Sequence, residues 1–147
     1  MKLNIDGASN AFLGLAGGGG LIRDEAGRWV VGFTRKLGKV NSFLAELWAF
    51  RDGLLLCQQM NMITLIVELD AKVLVKALTN PSYSNTVISG LFDDCKQLLS
   101  VFPQCRIQHA FREANMCVDQ LARLGLLQDS KFVLYPCPPM DIKSLFG

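Results

Sequence analysis

No CxxC pair occurs in this chain, and its five cysteines (Cys57, Cys95, Cys105, Cys117 and Cys137) are odd in number and widely scattered. Such spacing suggests neither a disulfide framework nor a zinc site, so a reducing intracellular compartment, nucleus or cytoplasm, is expected. No apolar run approaches the roughly 20 residues of a membrane span, and no membrane partner is expected. Met1-Lys2 runs straight into the first expected strand, leaving no room for a signal peptide. Charge of either sign is in little excess: 15 Lys and Arg against 13 Asp and Glu give +2, compatible with a polyanionic partner without demanding one. The run Gly17-Gly18-Gly19-Gly20 lacks the GxxxxGK[ST] pattern and precedes a strand rather than a helix, which argues against a phosphate cradle. Close strand packing or a bulge explains those glycines better.

What the chain does have is apolar material, 50% of 147 residues, enough for one substantial core. No internal repeat or linker marks a second domain. Leu3 and Ile5 alternate with Lys2, Asn4 and Asp6, the period of a half-buried strand, and Gly7 permits a sharp departure from the sheet just after Asp6. Residues 21–23 and 28–33 flank an acidic turn closed by Gly27, so the first three strands are expected to form an antiparallel meander. Asn41-Ser42 reads as the N-cap of a helix over 43–60, with Leu44, Leu47, Trp48, Leu54 and Leu55 as its apolar stripe and Glu46 in its first turn. Residues 63–70 read as an internal strand ending in Asp70, 71–78 and 87–102 as helices, and 104–112 as a further strand. Residues 114–127 then read as a helix with Val118, Leu121, Ala122 and Leu124 or Gly125 inward. The order βββαβααβα predicts an α/β domain over 1–128, a five-stranded mixed sheet with helices packed on it. Residues 129–147, with Pro136, Pro138 and Pro139, show no periodicity and read as an irregular tail.

Four acids fall at positions of a common kind. Asp6 and Asp70 sit at expected strand ends, Glu46 in the first turn of one helix and Asp119 early in the last. Three of them also have a purely structural reading: Asp6-Gly7 as a turn, Glu46 facing the helix dipole, Asp70 capping the next helix. Together, four converging carboxylates would repel one another unless cations sit between them, and hard ions such as Mg2+ or Mn2+ prefer such oxygens. Two ions about 3.5–4 Å apart can clamp a phosphodiester during in-line attack by water, which makes nucleic acid the natural substrate.

The strings Asn4-Ile5-Asp6-Gly7-Ala8, Gly19-Gly20-Leu21-Ile22-Arg23-Asp24, Ala45-Glu46-Leu47-Trp48-Ala49 and Glu68-Leu69-Asp70 occur in this order. They are followed by His109-Ala110-Phe111-Arg112-Glu113-Ala114-Asn115 with Asp119-Gln120-Leu121-Ala122. In that order they resemble the ribonuclease H type 1 domain, in the variety associated with plant retroelement reverse transcriptases. The resemblance implies a ribonuclease H-like fold and endonucleolytic hydrolysis of the RNA strand of an RNA/DNA hybrid, leaving 5′-phosphate and 3′-hydroxyl ends. It implies that Asp6, Glu46, Asp70 and Asp119 hold two Mg2+ or Mn2+ ions. Asp6 and Asp70 would be central, Asp119 would serve the ion that activates water, and Glu46 the one at the leaving 3′-oxygen. A histidine or arginine ahead of the last aspartate assists in many members; His109 and Arg112 both lie in that stretch, and Arg112 is favoured. Asn41, Ser42 and Lys72 flank the acids and could contact 2′-hydroxyls or phosphates, or serve as helix caps and a solvated lysine.

Ala71 stands where relatives usually carry serine, and Val118 where many carry alanine; neither removes a ligand. Between Ala71 and Val101 the basic residues are Lys72, Lys76 and Lys96, so the basic, aromatic-bearing insertion of some relatives is missing. Phosphate contacts dominate affinity for nucleic acid, so hybrid binding is expected to be weak unless another nucleic-acid-binding domain or protein supplies grip. The alternative function is a catalytically idle module that binds nucleic acid or a protein partner.

Overall fold

The computed structural model describes residues 1–80, 89–110, 115–140 and 142, with Val73 and Ser89 described as helical backbone alone. Three antiparallel strands open the chain: β1 (Lys2–Asn10), β2 (Leu15–Arg23) and β3 (Trp29–Leu37). Helix α1 (Ser42–Gln59) leads to β4 (Thr64–Leu69), then α2 (Lys72–Thr79), α3 (Ser89–Ser100), β5 (Gln104–His109), α4 (Met116–Leu127) and β6 (Phe132–Tyr135). The sheet runs β5-β4-β1-β2-β3-β6, with β4 parallel to both β1 and β5 and the other pairings antiparallel.

Six strands among the described residues, rather than five, is a correction. Residues 132–135, expected in an irregular tail, pair with β3 as its second neighbour. Their alternation is too short to register as a period, and the pairing is fixed by tertiary contacts. Phe132 stacks on Phe33 with ring centroids 5.7 Å apart, and Trp29 Nε1 donates to Tyr135 O (2.9 Å). The Arg35 guanidinium, ion-paired to buried Asp52, lies between the Trp48 and Phe132 rings, 5.6 and 5.0 Å from their centroids. The expected strand at 104–112 stops at His109, and its last two residues lie outside the described ones, as do the start of the helix expected at 87–102 and Ala114.

The two faces of the sheet are covered separately. On one, α1 places Leu47, Phe50, Leu54 and Cys57 against Leu3, Ile5, Val67 and Phe92 in the main core. These four follow the 3.6-residue period; Leu44, Trp48 and Leu55, expected in that stripe, are half-buried at its border. On the other face α4 buries Val118, Leu121, Ala122 and Gly125, resolving the choice with Leu124 in favour of the glycine. The glycines of β2 make both contacts possible. A Cβ on Gly17 or Gly19 would lie 2.3 Å from Ala122 O or 2.6 Å from Ala122 N in α4, and one on Gly18 3.3 Å from the Ala49 Cβ in α1. The glycine run is therefore close packing inside one strand between two helices.

Candidate active site

β1 does not leave the sheet at Gly7; it continues to Asn10 in antiparallel register with β2, so Asp6 is a mid-strand residue. The strand end that matters is on its other edge. The parallel pairing of β1 with β4 finishes at Ile5 and Leu69, which leaves Asp6 and Asp70 as the next residues of adjacent strands. Neighbouring strands lie about 4.8 Å apart, so two carboxylates share one notch. Gly7 has another purpose: a Cβ there would stand 2.4 Å from Glu46 N and 2.6 Å from Ala45 C. Its absence lets the α1 backbone rest on β1 beside Asp6. Glu46 thus occupies the second turn of α1, not the first, since the helix begins at Ser42. The macrodipole, which acts on the first turn, is a poor reason for a carboxylate here. Asp119 lies in the first turn of α4, the helix seated on the β2 glycines.

The electrostatics tie the four together. Burial is the largest influence on Asp6, and the charges of Asp119 and Asp70 add to it. The Gly7 N–H donating to Asp6 Oδ1 (2.9 Å) opposes them, and the carboxyl is pushed up to about 7. Glu46 is pushed up to about 8, by burial first and then by Asp6 and Asp70. Both are carboxyls held protonated more firmly than usual because ionising them would gather negative charge in a partly dry place. Two of the four lie beside a basic side chain: Arg123 Nε donates to Asp119 Oδ2 (3.0 Å), and His109 Nε2 lies 3.5 Å from Asp70 Oδ1. Among the described residues, no three His, Cys, Asp or Glu side chains already stand as the ligand set of a metal ion. Backbone placement alone brings the acids near one another. An all-oxygen, mutually repelling donor set suits a hard divalent cation, which would remove the repulsion that burial imposes.

Of the remaining candidates, Arg112 lies outside the described residues. His109 ends β5 opposite Leu69, beside the third acid. Asn41 caps α1, its Oδ1 accepting from Leu44 N (2.9 Å). Ser42 and Lys72 are exposed first residues of α1 and α2. Asn41 also lines a cavity of about 440 Å3 with Ser9, Asn10 and Lys39. Glu68, though part of the Glu68-Leu69-Asp70 string, is not with the acids. It is buried, accepting from Asn4 Nδ2 (3.0 Å) and Gln108 Nε2 (2.7 Å). Reading along the chain missed Arg123, whose position four residues after Asp119 in a helix was the available signal.

A mixed sheet in this strand order, with acids from β1, α1, the β4 end and α4 gathered at one notch, defines a ribonuclease H-like domain. The sequence agrees: residues 4–125 match the reverse transcriptase-like family, and the chain belongs to it. An Arabidopsis thaliana protein named as a ribonuclease H protein is 32% identical over 145 residues. That match takes in 99% of this chain and 23% of the relative, so the chain spans under a quarter of the relative's length. Among solved structures, ribonuclease H1 of the halophilic archaeon Halobacterium salinarum superimposes with a TM-score of 0.78 at 24% identity, over 85% of this chain and 96% of that one. LC11-RNase H1 in complex with an RNA/DNA hybrid gives 0.77 at 20%, over 85% and 95%. The protease–reverse transcriptase of prototype foamy virus gives 0.70 at 16%, over 88% of this chain and 21% of that one.

Proposed function

We propose that this domain is a metal-dependent endoribonuclease that hydrolyses the RNA strand of RNA/DNA hybrids and leaves 5′-phosphate and 3′-hydroxyl ends. The observation that carries the reading is the meeting of Asp6, Glu46, Asp70 and Asp119 from four separate elements, with two of them buried against their own charge. Two Mg2+ or Mn2+ ions, when bound, would supply charge to the phosphate and lower the pKa of an attacking water. Asp6 and Asp70 would hold both ions from the rigid notch of β1 and β4, with Asp119 on the side of the water and Glu46 on the side of the leaving oxygen. The water would give up a proton as its oxygen bonds to phosphorus, the bond to the 3′-oxygen would break, and that oxygen would take up a proton. Arg112, or else His109 beside Asp70, would assist by positioning the water or releasing the product. Asn41, Ser42 and Lys72 would meet the sugar and phosphate groups of the hybrid. The five free thiols, three of them buried, suit a reducing compartment such as the nucleus or cytoplasm.

An end-labelled hybrid incubated with Mg2+ or Mn2+ tests the reading. Cleavage confined to the RNA strand and abolished by Asp70→Asn is the expected result. A chain that binds the hybrid but cuts nothing would give the lead to an idle binding module, as would a melting temperature unmoved by millimolar metal.

A further inference from the structure

Asn4 and Glu68 each stand two residues before a site acid, Asp6 and Asp70. Side chains two apart along a strand share a face, so the pair lies in line with the acids. The structure joins it to two further strands in one polar rung. Arg23 on β2 donates through Nη2 to Asn4 Oδ1 (2.8 Å), and Asn4 on β1 donates through Nδ2 to Glu68 Oε1 (3.0 Å). Gln108 on β5 donates through Nε2 to Glu68 Oε2 (2.7 Å). Asn4 and Glu68 are partners in the β1–β4 register, as Glu68 and Gln108 are in the β4–β5 register. Lys2 Nζ lies 3.4 Å and Arg23 Nη2 3.8 Å from the same carboxylate. Both oxygens of Glu68 are thus taken and two cations meet its charge, which makes this further acid an anchor rather than a ligand.

We infer that the Asn4–Glu68 bond is the clamp that sets the spacing of the Asp6–Asp70 notch, so that Asn4 and Glu68 are positioning residues for the proposed reaction. The inference rests on the proposed function, and deepens it. Its physical basis is where the backbone ladder ends. The β1–β4 pairing finishes at Ile5 and Leu69, so it does not reach the two acids that repel each other. The Asn4–Glu68 bond crosses the same two strands two residues earlier, about 7 Å back along them. Asn4 is 1% and Glu68 8% exposed, so water is a poor substitute for either partner, and a buried carboxylate that loses a hydrogen bond is costly. The bond therefore resists both sliding and spreading of β1 against β4. Acids that share metal ions have to be held to within about 0.5 Å, which a supporting polar rung can do and a free strand end cannot. Lys2 and Arg23 keep the rung from adding negative charge to a site that already holds an excess.

Calorimetric titration with Mn2+ in the absence of nucleic acid reads the notch, and hybrid cleavage with kcat and KM separated reads its consequence. Asn4→Ala, which cuts the clamp, is expected to weaken Mn2+ binding about tenfold and to lower kcat by a similar factor with KM unchanged. Glu68→Leu should do the same. Glu68→Gln can still accept from Asn4 and, with the Gln108 amide turned, donate to that side chain, so its Mn2+ affinity should stay within about threefold of the parent. Gln108→Ala removes a bond of the same rung that does not cross the notch. It should lower the melting temperature and leave Mn2+ affinity as it was. Mn2+ affinity and kcat kept in both Asn4→Ala and Glu68→Leu, with the melting temperature alone reduced, would make the rung a stability device and overturn the inference alone. A loss in Gln108→Ala equal to that in Asn4→Ala would also overturn it, as would one in Glu68→Gln equal to that in Glu68→Leu. A parent that neither binds Mn2+ nor cuts the hybrid overturns the function and the inference together.

Discussion

Asp6 is where the conflict in this molecule is sharpest. Its carboxyl and that of Glu46 are raised to about 7 and about 8, so the folded chain holds protons that the unfolded chain, titrating near 4, has released. Stability without metal is therefore fullest below about pH 4 as far as these two groups are concerned. It falls as pH rises through the window from about 4 to about 8. Groups with lowered values, such as Asp24 and Glu25, act in the opposite sense and only at lower pH. Thermal melts in chelator at pH 5 and pH 8 should show the parent losing melting temperature across the window, Asp6→Asn losing less, and Mg2+ at pH 8 restoring the parent but not the variant. An equal loss in parent and variant would remove Asp6 as the cause. At this scale the sequence was legible for identity and silent on condition. Asp6, Glu46, Asp70 and Asp119 could be picked out by position, but their protonation depends on burial and on neighbours distant in the chain.

Gly7 shows what an element contributes. Helix α1 carries Glu46 to Asp6 because its backbone settles where a side chain would otherwise stand, 2.4 Å from Glu46 N. Gly7→Ala must push α1 away from β1 at the one point where two acids meet. A loss of about 1–3 kcal/mol in urea unfolding is expected, with hybrid cleavage falling further than the stability loss explains. Stability lost with cleavage kept would show that the helix approach does not set the site. The sequence suggested a turn at Asp6-Gly7, the usual reading of that pair, because a glycine required by another element looks the same as one required by its own backbone. The helix itself was legible from Asn41 and the Leu47, Leu54 spacing. Its start was expected one residue late and Glu46 was placed one turn too early, and boundaries of this kind are set by caps that compete locally.

At the scale of the whole molecule, the sheet is finished by residues beyond the expected domain end. β6 covers the outer edge of β3, and Phe132 closes one side of the Arg35 guanidinium while Thr34 bonds Gln128 just after α4. A chain ended after Gln128 should melt several degrees lower, since about 1 kcal/mol moves a domain of this size by roughly 2–4 °C. It should also associate more readily through the bared β3 edge, seen by light scattering. An unchanged melting temperature would return residues 129–147 to the status of a tail. The sequence by itself determined the element types as far as α4, the meander followed by alternating strands and helices, and marked the four acids as candidates, because alternation, helical period and acids at the expected ends of elements are local patterns. The tertiary structure alone decided that Asp6 lies mid-strand beside Asp70, that Gly7 admits Glu46, that His109 faces Asp70, and that a sixth strand exists. Each of those depends on which backbone lies against which, and contacts between residues far apart in the chain leave no period along it.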